Sequence, residues 1–125
     1  MYAFLSLLIE RSSRAMSAIN AAMNLWKTQT CVRFKKRTTE SAYAYFHIGS
    51  GCTSYVGRTG RRQMVSLARG CWYTHTVAHE IGHALGFYHE QSRPDRDDYV
   101  IINWQNIQQG RYKNIVNIVP CINVE

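Results

Sequence analysis

Residues 79–90 read HEIGHALGFYHE, and this stretch decides how the chain is read. His79 and His83 are four positions apart, so on a helix they lie on one face, one turn from each other. Two imidazoles so placed can grip one metal ion. At about 100° per residue, Val77, Ile81, Ala84 and Leu85 cluster on the other side of the helix. They form an apolar anchor, with Glu80 beside the histidine face and outside that anchor. His89 follows six positions after His83, where a continued helix would rotate it away. Gly86 resolves the difficulty, because glycine enters the left-handed region cheaply and ends helices. The pattern H-E-x-x-H-x-x-G-x-x-H therefore predicts a helix over Thr74–Leu85, a stop at Gly86, and a chain that swings back towards the metal. Three unconnected histidines and a solvated glutamate would make this spacing a coincidence.

Three neutral imidazoles suit zinc and leave open positions on it for water and substrate. A carboxylate next to His79, close to that water but not on the metal, fits a general base. The stretch thus points to a catalytic Glu80 and to His79, His83 and His89 as metal ligands. His47 and His75 have no partners at such spacing and read as incidental. Tyr43, Tyr45, Tyr55 and Tyr73 read as sheet or packing residues.

Upstream, Ala15, Ile19, Ala22, Met23 and Trp26 form one apolar stripe at helical spacing, with Ser12 or Ser13 as the cap. The stripe reads as core packing. Strand-like stretches follow at 31–34, 43–48 and 63–67, punctuated by Gly49, Gly51, Gly57 and Gly60 as turns. After Pro94 the chain reads as extended or irregular through 99–103, with a short helix near 103–109. Helix, strands, helix in that order predicts an α+β domain with one mixed sheet.

The length of 125 residues fits one domain, and a hydrophobic fraction of 46% supports a packed core. Domains this small often need a staple. The 4 cysteines, Cys31, Cys52, Cys71 and Cys121, contain no C-x-x-C pair and read as disulfide partners in a secreted, extracellular chain. Their spacing leaves three pairings open. The net charge is +7. The cations are scattered, and the runs Lys35-Lys36-Arg37 and Arg61-Arg62 are too short for a nucleic-acid arm, so they read as solvated surface. Residues 1–9 are apolar but match a signal peptide poorly, and no stretch is long enough to span a membrane.

The chain resembles the astacin family of metzincin zinc peptidases. TCVRFKKRTTES (30–41), GCTSYVGRTG (51–60), VSLARGC (65–71) and HEIGHALGFYHEQSRPDRDDYVIINW (79–104) carry the likeness, which covers roughly residues 15–109. The resemblance implies a metzincin-like amino-terminal subdomain: a mixed twisted sheet, a backing helix and a zinc-binding active-site helix. It implies one catalytic zinc ion held by His79, His83 and His89, Glu80 as general base, and a Cys52–Cys71 disulfide. It places peptide substrates along an edge strand at 63–67 by strand addition. It also implies an incomplete single catalytic domain over residues 1–125. The family's first strand finds no counterpart upstream. The partner of Glu90, the Met-turn with its tyrosine ligand, and the partner of Cys31 are likewise unmatched. Residues 110–125 read as a divergent tail, with Cys31 and Cys121 either paired or free.

The expected activity is zinc-dependent hydrolysis of internal peptide bonds. Protein or peptide substrates are the expected partners, with no nucleic acid. The alternative is a truncated, inactive zinc-binding homologue that acts as a binding protein. A polyanion-binding module rests on net charge alone and leaves the histidine motif unused.

Overall fold

The computed structural model describes the backbone of residues 2–7 and residues 12–111. By its contacts the chain divides into Met1–Phe87 and Tyr88–Glu125. Among the described residues the first unit holds five strands, two α-helices and a 3-10 turn at Arg69–Cys71: β1 (Tyr2–Leu7), α1 (Ser13–Gln29), β2 (Arg33–Lys36), β3 (Tyr43–His47), β4 (Cys52–Ser54), β5 (Arg62–Leu67) and α2 (Thr74–Leu85). The sheet runs β2-β1-β3-β5-β4. All pairings are parallel except the antiparallel β4–β5 pair. This is the α+β architecture with a mixed sheet that the sequence implied.

Helix α1 begins where Ser12 can cap it: the Ser12 hydroxyl accepts from the Ala15 N–H at 3.4 Å. Its stripe of Ala15, Ala18, Ile19 and Ala22 is buried. Alanine at these positions lets the helix approach closely. The stripe meets Phe46 of β3, Val65 and Leu67 of β5, and Val77 and Ile81 of α2 in one core. Phe46, Ile19, Val65, Leu67 and Val77 are each almost wholly out of water. Burial of each such side chain contributes roughly 1.5–3 kcal/mol. On β5, Gln63, Val65 and Leu67 are buried on one face and Ser66 is buried on the other, as suits a strand inside the sheet.

Two sequence expectations are corrected by the sheet. Residues 1–9 carry no element in the sequence reading, and the family's first strand has no counterpart there. Instead β1 occupies an interior place in the sheet, parallel to both β2 and β3. A short apolar run carries no periodicity that separates strand from leader, and its partners are remote in sequence.

The second correction concerns the edge. β5 is not an edge strand: β3 pairs with one side and β4 with the other. The edge on that side is β4, a stretch that reads in sequence as turn between glycines. Gly51 and Gly57 flank it, with φ of 79° and 75°. Their left-handed turns let a three-residue strand fold back on β5. Cys52 then lies 5.7 Å Cα–Cα from Cys71, and the two form a disulfide. That is the pairing implied by resemblance, which spacing alone left open. Cys31 is an exposed free thiol; Cys121 lies outside the described residues. The strand expected at 31–34 is shifted to Arg33–Lys36, while Tyr43–His47 and Arg62–Leu67 fall within a residue of expectation.

In the second unit the described chain forms single 3-10 turns at Glu90–Ser92, Arg96–Asp98 and Trp104–Asn106. The short helix expected near 103–109 is the last of these. Arg96 is buried; its Nη1 donates to the Gln91 carbonyl at 2.8 Å and its Nε to Asp97 at 3.1 Å. Arg93 bridges Glu90 at 3.0 Å and Asp95 at 2.8 Å. The Arg93 guanidinium holds the Asp95 carboxyl below its usual range. Among the described residues no helix is long and apolar enough to cross a membrane.

Candidate active site

Helix α2 spans Thr74–Leu85, the range the sequence predicted. Val77 and Ile81 anchor it in the core. Ala84 and Leu85, also expected in the anchor, are only half-buried, because the helix end rises out of the core. Gly86 closes it at φ 111°, and its N–H bonds back to the carbonyls of Gly82 and His83. The Phe87 N–H also reaches the Gly82 carbonyl, at 3.0 Å. The helix thus stops by a glycine-dependent cap at the expected residue.

His79 is exposed and His83 half-buried. Their ring centroids are 4.5 Å apart and the rings stand at 84°. Burial, then the charge of His83, pushes the His79 imidazole below its ordinary pKa. Both causes favour the neutral ring that a metal needs. His83 Nδ1 lies 2.7 Å from the Phe87 carbonyl oxygen. A carbonyl can only accept, so Nδ1 carries the proton and Nε2 is the unprotonated nitrogen, the form a metal ligand needs.

Glu80 differs from expectation in its surroundings. The residue is 4% exposed, as deeply placed as the apolar anchor. Sequence puts it beside the histidine face, and in the folded chain it is buried.

A second link holds the end of α2. The Gly57 N–H donates to the His83 carbonyl at 2.8 Å. Buried Gln63 in turn donates from Nε2 to the Gly57 carbonyl at 3.0 Å and accepts from the Thr59 N–H at 3.1 Å. The loop after the edge strand is therefore fastened both to β5 and to the histidine helix. Sequence reasoning does not find Gln63 and Gly57. A lone glutamine in a strand and one glycine among several give no signal of a contact this distant.

His89 lies in the second unit. In the first unit His79 and His83 form a pair, each with one ring nitrogen to offer a metal ion. His47 and His75 lie outside it; they stack on Tyr45 and Tyr73. Three imidazoles form a donor set that fits zinc.

The family model described as Astacin, a peptidase family, matches residues 3–121. The chain belongs to the astacin family. The match begins within β1, well before the residues 15–109 over which the sequence likeness is legible. Blastula protease 10 of Paracentrotus lividus is 50% identical over 111 residues, covering 82% of this chain and 19% of that protein. Zinc metalloproteinase nas-4 of Caenorhabditis elegans is 48% identical over 100 residues, covering 78% of this chain and 32% of that protein. The chain therefore spans a fifth to a third of the length of these curated relatives. The astacin-family architecture matches the solved structure of High choriolytic enzyme 1, a hatching enzyme zinc-protease from Oryzias latipes, with TM-score 0.84 and 39% identity. That match covers 94% of this chain and 60% of the other. The structure of myroilysin, at 19% identity and TM-score 0.58, shares the fold.

Proposed function

We propose that this astacin-family chain carries the zinc-binding, base-bearing part of a secreted metalloendopeptidase, and that it hydrolyses internal peptide bonds of protein substrates. The observation that carries the reading is α2 itself. It sets His79 and His83 one turn apart, places buried Glu80 between them in sequence, and ends at Gly86 just before His89.

His79, His83 and His89 would hold one zinc ion through neutral imidazole nitrogens. Bound zinc supplies a Lewis acid that acidifies water and polarises the scissile carbonyl. Glu80 would take the water's proton on a carboxylate oxygen and pass it to the departing amine nitrogen as the C–N bond breaks. Burial keeps that carboxylate in one place, which favours proton transfer over solvation. Phe87 keeps His83 in the tautomer that binds metal. β4, as the antiparallel edge fastened to α2 through Gly57, is the strand an extended peptide would join. The disulfide and the zinc-protease names of the relatives support the extracellular, peptidase reading.

The test is cleavage of a denatured protein by the purified, zinc-loaded chain, with and without a chelator. Cleavage that the chelator stops is the expected result. A folded, zinc-replete chain that cleaves nothing would leave it a metal-binding homologue without turnover.

A further inference from the structure

Trp26 sits on α1, more than fifty residues from the histidines in sequence, and core filling is all that sequence assigns to it. Its indole makes three contacts with the histidine segment. Nε1 donates to the Ala78 carbonyl oxygen at 3.0 Å, immediately before His79. The ring lies against Gly82, where an added Cβ would meet Trp26 Cζ2 at 3.3 Å. It also packs on Phe87, with centroids 5.8 Å apart and planes at 38°. Phe87 supplies the carbonyl that takes the His83 Nδ1 proton.

We infer that Trp26 is a positioning residue for the metal ligands: it clamps the ligand turn from Ala78 to Phe87 and, through Phe87, holds His83 in the tautomer that presents Nε2. The inference rests on the reading that His79 and His83 bind zinc. Filling the core needs only apolar bulk, which leucine or phenylalanine would give. An N–H aimed at the carbonyl before His79 is a property of indole alone among the bulky apolar side chains. Glycine inside a helix is destabilising relative to alanine. At Gly82 the absent side chain lets the indole lie against the turn between the two histidines, where an added Cβ would crowd it. The clamp therefore touches the ligand segment before His79, between His79 and His83, and after the helix cap. Outer contacts of this kind fix ligand orientation and typically change metal affinity about 10–100-fold when removed.

The experiment titrates zinc into the metal-free full chain against a chromophoric chelator, for wild type, Trp26→Phe, Phe87→Ala and His83→Ala. Nitrogen-15 NMR of the metal-free chains reads the His83 tautomer. Trp26→Phe keeps an aromatic ring but loses the indole donor; zinc affinity should fall about tenfold and the Nδ1–H tautomer should lose population, with unchanged circular dichroism. Phe87 is 56% exposed, so Phe87→Ala should fold and show the same two changes, severalfold in affinity. Wild-type affinity and tautomer in Trp26→Phe would overturn the inference. If that variant does not fold, the same result in Phe87→Ala would do so. A wild-type chain that takes up no zinc, or His83→Ala that binds as well as wild type, overturns the zinc reading instead. The tautomer populations then still decide whether Trp26 orients His83.

Discussion

The carbonyl of His83 is held from two directions: the N–H groups of Gly57 and Gly86 both donate to it at 2.8 Å. One donor comes from the loop after the edge strand and the other from the helix cap. The end of the histidine helix is thus tied to the loop after β4 by a backbone bond, and through Gln63 to β5, while the His83 ring is fixed separately by the Phe87 carbonyl. Side chain and main chain of one residue are each restrained, which suits a metal ligand.

Removing that ring should remove the metal. His83→Ala is expected to lower bound zinc to background, measured by elemental analysis after dialysis. The thermal stabilisation that added zinc gives the wild type should vanish with it. Unchanged zinc content would take His83 out of the ligand set.

Glu80→Gln preserves shape and removes the carboxylate proposed as the base. Because the side chain is 4% exposed, the amide should pack in the same place and zinc affinity should hold. Peptide cleavage should fall by about 100-fold or more, read against a fluorogenic peptide. Activity equal to wild type would exclude Glu80 from proton transfer.

The glycine cap can be tested alone. At φ 111° a side chain at position 86 is strained whatever the space around it. Gly86→Ala should cost about 1–2 kcal/mol in urea unfolding. An unchanged unfolding midpoint would show that the cap does not need glycine.

The Cys52–Cys71 link closes a loop with sequence separation 19. In the chain-entropy account such a loop is worth about 3 kcal/mol. Replacing both cysteines with serine should lower the melting temperature accordingly, and β4, with three residues, should lose amide-exchange protection first. Equal protection in the variant would mean that its pairing with β5 suffices.

A pH effect follows from His79, whose imidazole is held below its ordinary range by burial and then by His83. The unfolded chain takes up the proton first as pH falls. The metal-free fold should therefore lose a little stability as pH drops through the ordinary imidazole range, with no contribution above it. Proton NMR should place the His79 midpoint lower in the folded than in the urea-unfolded chain. A higher folded midpoint would reverse the sign.

Much of the site is legible in the sequence because it is local. The positions of His79, Glu80, His83 and Gly86 on one helix and its cap follow from a period of 3.6 residues and from glycine's freedom at positive φ, and the structure places helix and cap where the sequence puts them. The buried stripe and serine cap of α1 follow in the same way. The family likeness is equally a property of contiguous segments.

Tertiary structure alone decided what depends on residues far apart in the chain. It put β1 inside the sheet and made β4, not β5, the edge. It buried Glu80, a residue whose helical position marks a direction but not what covers it. It brought Trp26 to Ala78 and Gly57 to His83. Periodicity reports which way a side chain faces along its own element. Which element faces it is settled by packing, and packing is selected over the whole core at once.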